Sequence, residues 1–224
     1  MQDSFNIRGD RGLSDFDARH RFVVTWLCEL PGRGHRLIEG WQISGVTQLQ
    51  SGNPINILAG NPLPIPGTSI SGATIASFTG MATIRPDVIG HIKNIGNSSQ
   101  WFTNTVCDPR DPKGCPAGAV FALPVKFENG GSIFHFGNLG RNVMIGPGFS
   151  NTDFSVLKNS KLSESLGLQL RAEIFDIFNH ANFGQPGPIA QVGGSSFGVI
   201  SNTRFPTGDS GSSRQIQFAV KLIF

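Results

Sequence analysis

Tyrosine is absent from this chain of 224 residues, and Asp, Glu, Lys and Arg together make up only 15% of it. Soluble domains average about 25% charged residues, so a helical bundle with charged outer faces is disfavoured. The net charge of +3 is small and its basic residues are dispersed. That excludes the electrostatic footprint of a nucleic-acid partner. No apolar run approaches the roughly 18 residues of a membrane-crossing helix. The opening Met1-Gln-Asp-Ser-Phe-Asn-Ile-Arg is polar and lacks the apolar stretch of a signal peptide.

Catalytic vocabulary is missing too. The five histidines, His20, His35, His91, His135 and His180, fall mainly at strand ends and in loops. They show no His-Glu-x-x-His or similar ligand spacing, so no metal is expected. No Gly-x-Ser-x-Gly elbow, P-loop or dinucleotide fingerprint occurs, so neither an enzyme nor a cofactor is expected. Arg8-Gly9-Asp10 spells an adhesive tripeptide, but three residues carry little information, and a solvated loop is the expected reading.

What the chain does have is glycine (29), phenylalanine (18) and alternation. In the terminal stretch Arg214 to Phe224, the residues Ile216, Phe218, Val220, Leu222 and Phe224 are apolar. Gln215, Gln217, Ala219, Lys221 and Ile223, mostly polar or small, stand between them. Period two is the mark of a strand with one apolar face, and a tilted strand crosses a bilayer in roughly 9–11 residues. The pattern recurs upstream. Phe22, Val24, Trp26, Cys28 and Leu30 form one face, and Trp41, Ile43, Gly45, Thr47 and Leu49 form another. Thr152, Phe154 and Val156 alternate with Asn151, Asp153 and Ser155. Leu166, Leu168, Leu170, Ala172 and Ile174 alternate with Gly167, Gln169, Arg171, Glu173 and Phe175.

The expected strands lie near 19–30, 41–57, 151–158, 166–178 and 214–224. Short links join the first pair and the second pair. Long stretches, 58–148 and 179–213, break the period, and the first holds the Pro-rich breaker Asn61-Pro-Leu-Pro-Ile-Pro-Gly. Outer-membrane barrels pair short periplasmic turns with long extracellular loops in this way. The expected fold is therefore all-β: an antiparallel up-and-down transmembrane β-barrel, partial, of about five strands. Phe22, Val24, Trp26, Ile43, Leu49 and the even terminal positions are expected to face lipid. The alternative from another class is a surface binding or adhesion protein on a soluble β-sandwich.

Arg171, Glu173 and Asp153 share the polar side of neighbouring strands, where a cross-strand ion pair lining the lumen is expected. Cys107 and Cys115 flank Asp108-Pro-Arg-Asp-Pro-Lys-Gly. They read as a loop disulfide at an oxidising surface rather than a metal pair, because no histidine stands near. Cys28 reads as a small hydrophobe on the apolar face.

Gly12-Leu-Ser-Asp-Phe-Asp-Ala-Arg-His-Arg-Phe-Val-Val and Gly40-Trp-Gln-Ile-Ser-Gly resemble the C-terminal barrel of TonB-dependent outer-membrane receptors. The group is the Oar-like one, with a carboxypeptidase-regulatory-like domain at its N-terminus. Phe136-Gly-Asn-Leu-Gly-Arg-Asn, Gly146-Pro-Gly-Phe-Ser-Asn-Thr-Asp-Phe-Ser and Arg171-Ala-Glu-Ile-Phe-Asp-Ile-Phe-Asn-His-Ala-Asn-Phe-Gly are similar to it in the same order. Asp176-Ile-Phe-Asn carries Asp where that family usually has Asn.

The resemblance implies the last five strands of a receptor barrel of about 22 strands. It also implies import of a scarce solute across the outer membrane, with outer-membrane lipid, the barrel-assembly machinery and TonB as partners. Phe224, with Leu222, Val220 and Phe218, would form the signal read by that machinery. No stretch resembles the family's plug, TonB-contacting segment or signal peptide, so Met1 is expected not to be the true start.

Overall fold

The computed structural model describes residues 6–32, 34, 38–60, 84–129, 131–204 and 213–224. His35, the Asn61–Gly67 breaker and residues 205–212 of the last long stretch lie outside the described residues. Two compact units are formed, one from 18–52, 148–183 and 203–224, the other from 1–17, 53–147 and 184–202.

The first unit is a single open sheet of five strands. They are β1 (Arg21–Glu29), β2 (Trp41–Gln50), β3 (Phe149–Lys161), β4 (Gly167–Phe175) and β5 (Gln215–Ile223), paired in that order and antiparallel throughout. The fold is all-β, as a partial barrel requires, and the sheet is not closed. Register carries one face across all five strands, since directly opposed residues share a side. Trp26 stands opposite Gly45, Gly45 opposite Phe154, Phe154 opposite Ile174, and Ile174 opposite Ile216. The set Phe22, Val24, Trp26, Ile43, Leu49, Val156, Leu168, Leu170, Phe218, Val220 and Leu222 therefore lies on one apolar side.

Strand bounds differ from expectation where local chemistry intervenes. The second strand stops at Gln50, and Pro54–Ile55 instead pairs with Met144–Ile145 in a separate ladder. Pro54 has no N–H to continue the first ladder. β3 runs longer at both ends than 151–158. β4 ends at Phe175 rather than 178, because Asp176 adopts φ 48°, a left-handed conformation that an extended strand cannot contain.

One glycine in the sheet is required by packing. A Cβ on Gly45 would lie 2.7 Å from Trp26 Cζ2 and 3.0 Å from the Asp153 carbonyl oxygen. The bare backbone lets the Trp26 indole lie across β2 and meet Phe154, ring centroids 5.9 Å apart. Overpacking a filled site costs about 1–3 kcal/mol, so Gly45→Val in the full-length protein is expected to lower the urea midpoint accordingly. An unchanged midpoint would mean that the indole swings clear at no cost.

The second unit corrects the expectation that 58–148 is irregular. Its strands are short: Asp87–Val88, Asn94–Asn97, Gln100–Phe102, Val106–Cys107, Phe121–Ala122, Val125–Glu128 and Gly131–Phe134. They enclose a core of Ile55, Ile57, Phe102, Phe121, Leu123 and Phe197, among others. The three Phe rings meet edge-on at 5.2–6.2 Å between centroids, the geometry that ring quadrupoles favour.

Candidate functional site

The polar face of the sheet is the first candidate. It presents Gln42, Gln48, Gln50, Asn151, Gln169 and Gln217 alongside the charged Arg21, Glu29, Asp153, Arg171, Glu173 and Lys221. A recess of about 390 Å³ is lined by Thr25, Ser44, Val46, Asp153, Ser155 and Glu173, among others. Gln169 Nε2 donates to Asn159 Oδ1 at 2.9 Å across β3 and β4.

The ion pair here is not the expected cross-strand one. Arg171 Nη1 reaches Glu173 Oε1 at 3.4 Å along β4 itself. Arg171 faces Leu157 and Ala219 across the ladders, so no acid stands opposite it. Asp153 joins neither residue. Its Oδ1 accepts from Asn151 Nδ2 and from the Asp176 backbone N–H, each at 3.0 Å.

The apolar face carries one charge. Lys158 lies opposite Trp41 and Leu170, and it is buried. Its ammonium donates to the Glu39 carbonyl and sits 5.2 Å from the centroid of the Trp41 ring. An apolar stem that hands its charge to a strand end, beside an indole, is an interfacial anchor. The sequence signal was available: a lysine at an apolar-phase position close to a short turn. On the same face, the Thr47 and Thr152 hydroxyls share one hydrogen bond at 3.2 Å. The terminal residues Phe218, Val220 and Leu222 are exposed on β5, and Phe224 follows the strand at 93% exposure.

In the second unit, the motif residues Gly12, Gly137 and Asn142 sit at joints. Gly12 abuts the Arg141 carbonyl, where a Cβ would come within 2.4 Å, and Gly137 abuts the Arg85 and Pro86 carbonyls. Asn142 Nδ2 donates to the Leu13 carbonyl at 2.7 Å and to Asp15 Oδ1 at 2.6 Å. Arg85 is buried and grips two segments. Its Nε donates to the Leu139 carbonyl, Nη1 to Asp10 Oδ1, and Nη2 to the Gly9 carbonyl. The Arg8-Gly9-Asp10 triplet thus sits in a 3-10 turn with its carboxylate held by Arg85, a poor posture for adhesion.

Arg85 was not singled out by sequence reasoning, and no pattern around it marks its partners. His135 and Asp87 were missed in the same way; Nε2 and Oδ2 lie 2.5 Å apart. His20 and His180 engage through their backbone N–H groups, to Ser51 Oγ and Asp176 Oδ1. Among the described residues, no group of three or more His, Cys, Asp and Glu is placed to hold a metal.

Cys107 and Cys115 are joined in a disulfide, and Cys28 is free and exposed. Inside the ring, Arg110 grips Asp108 with two side-chain bonds, at 2.9 and 2.7 Å. That side-chain bond holds the Asp108 carboxyl below its ordinary range, against an opposing effect of burial, and raises the Arg110 guanidinium. Closing so short a loop contributes about 2–3 kcal/mol by the chain-entropy estimate. Peptide mapping without reduction is expected to find Cys107 and Cys115 joined and Cys28 alkylated. Alkylation of all three thiols before reduction would contradict it.

An unclosed antiparallel sheet, apolar on one side and amide-rich on the other, with long connections leaving one end, is a segment of membrane-barrel wall. The family described as outer membrane beta barrel domain matches residues 1–217. The chain belongs to that family, and the protein resides in the bacterial outer membrane. No curated protein and no solved structure matches it. A soluble sandwich is set aside by that membership.

Proposed function

We propose that these strands form part of the barrel of a TonB-dependent receptor, which imports a scarce solute across the outer membrane. The observation that carries this reading is the series of receptor-like motifs running in family order from Gly12 to Phe224. Several of them sit at structural joints: Gly12 against Arg141, Gly137 against Arg85, and the Asp176–Asn179 turn at the end of β4. The protein acts as a transporter rather than an enzyme. Its partners are outer-membrane lipid, the barrel-assembly machinery, TonB and the imported solute.

The test is the full gene. Its product should contain a plug, and the purified protein should bind the periplasmic domain of TonB. Lack of both would leave an outer-membrane barrel of another kind. The same reading makes Phe224 an assembly signal. Deleting it should lower outer-membrane levels of the full-length protein well beyond the loss of one strand-end contact. Unchanged levels would reduce Phe224 to a strand terminus.

A further inference from the structure

We propose that the recess on the polar face of the sheet is a contact site for a neutral saccharide, a solute class that rests on the import reading above. Register places its walls. Ser44 faces Ser155 and Ser155 faces Glu173, which makes one row across β2, β3 and β4. Two residues along, Val46 faces Asp153, and Phe175 follows Glu173 on the same side of β4. The two rows stand roughly 7 Å apart. Trp26, Gly45 and Phe154 also line the recess. Their side chains belong to the opposite face, so they supply a floor of backbone. The volume of about 390 Å³ falls among small-molecule sites, which run from about 300 to 1,000 Å³.

The polar groups around this recess are not spent on one another. On the apolar face the Thr47 and Thr152 hydroxyls share a hydrogen bond. Among the described residues, the Thr25, Ser44 and Ser155 hydroxyls have no such partner. Asp153 is held through Oδ1, which accepts from Asn151 Nδ2 and the Asp176 N–H, each at 3.0 Å. Its Oδ2 is left over. Glu173 offers Oε1 to Arg171 at 3.4 Å and keeps Oε2. Two carboxylates and three hydroxyls thus line one recess, together with the apolar Leu27, Val46 and Phe175. A sugar ring matches that mixture. Its hydroxyls donate to carboxylates in charge-assisted bonds, serine and threonine serve as donor or acceptor, and its C–H face covers the apolar side chains. Among the described residues no cation lines the recess, so an anionic solute would meet two carboxylates of its own sign. A bare ammonium would leave the hydroxyls and the Phe175 ring without a role.

The test is binding of the full-length protein, in a detergent without a sugar headgroup, to an array of neutral, uronic-acid and amino oligosaccharides. The wild type should retain neutral glycans, and so should Gln48→Ala, on the same face outside the recess. Asp153→Asn and Glu173→Gln should each lose roughly tenfold, the worth of one hydrogen bond to a charged acceptor. Ser155→Val removes a hydroxyl without touching a charge; it should weaken retention too, and it serves if a carboxylate variant fails to assemble. No neutral glycan retained by the wild type, equal retention by all variants, or a preference for uronic or amino glycans would overturn the proposal. Binding of the TonB periplasmic domain by the same preparations separates the two readings. Intact TonB binding without glycan retention removes the saccharide site alone. Glycan retention without TonB binding removes the import reading and leaves the site.

Discussion

Arginine at Val220 in the full-length protein is expected to impair outer-membrane assembly far more than arginine at Gln217. Both residues lie on β5, three positions apart, and both are exposed, so neither substitution disrupts a packed neighbour. What differs is the face. Val220 stands opposite Leu170, on the side that continues through Lys158 and Trp41; Gln217 stands opposite Glu173, on the side of Ser155 and Ser44. A charge facing hydrocarbon near the midplane of a barrel costs about 2–4 kcal/mol, and on the lumen side little. Heat-modifiable mobility of membrane fractions reads out the assembled share. Equal loss for the two variants would mean that the apolar side does not meet lipid, and the facing drawn from register would have to be abandoned.

That facing was legible because period two survives wherever strands are long. Each of β1 to β5 keeps nine or more residues in register, long enough for alternation to stand out from chance. A one-residue slip would move every side chain to the other face, so the apolar phase of each strand fixes its partner's. The second unit was not legible for the opposite reason. Pairs such as Val106–Cys107 with Phe121–Ala122, or Leu58–Ala59 with Ile189–Ala190, are two residues long and parallel. They carry no period at all. The core that they hold together draws Ile57, Phe102, Phe121 and Phe197 from distant positions, so no local window reveals it.

The site shows the same divide. The disulfide was readable because two cysteines flank a turn of two prolines and a glycine. The pairing of Arg171 was misread because a strand places i and i+2 on one face. Glu173 on its own strand was therefore as near as any acid across the ladder. Asp153 and Asp176 are brought together by the turn after β4, whose left-handed Asp176 and Asn179 leave no mark in a pattern of apolar and polar letters.

Expressed alone in water, these residues are not expected to yield a monodisperse monomer. β1 and β5 run in the same direction, because three strands lie between them in strict antiparallel order. The two edges cannot pair with each other to close an antiparallel barrel, so both remain open. In hydrocarbon each unpaired backbone group costs several kcal/mol, which is why only closed barrels span a bilayer. Water hydrates those edges but leaves them as templates for other chains. The apolar face adds to the difficulty, with Phe22 at 60%, Phe218 at 78% and Val220 at 69% exposure. Soluble monomers rarely expose a contiguous apolar patch beyond a few hundred Å², and an apolar face spread over five strands runs against that. Aggregation, or solubility only in detergent, is the expected result in size-exclusion chromatography. A detergent-free monomer that unfolds in one cooperative transition would show that the apolar face finds cover within the chain itself, and the wall-segment reading of the sheet would fall.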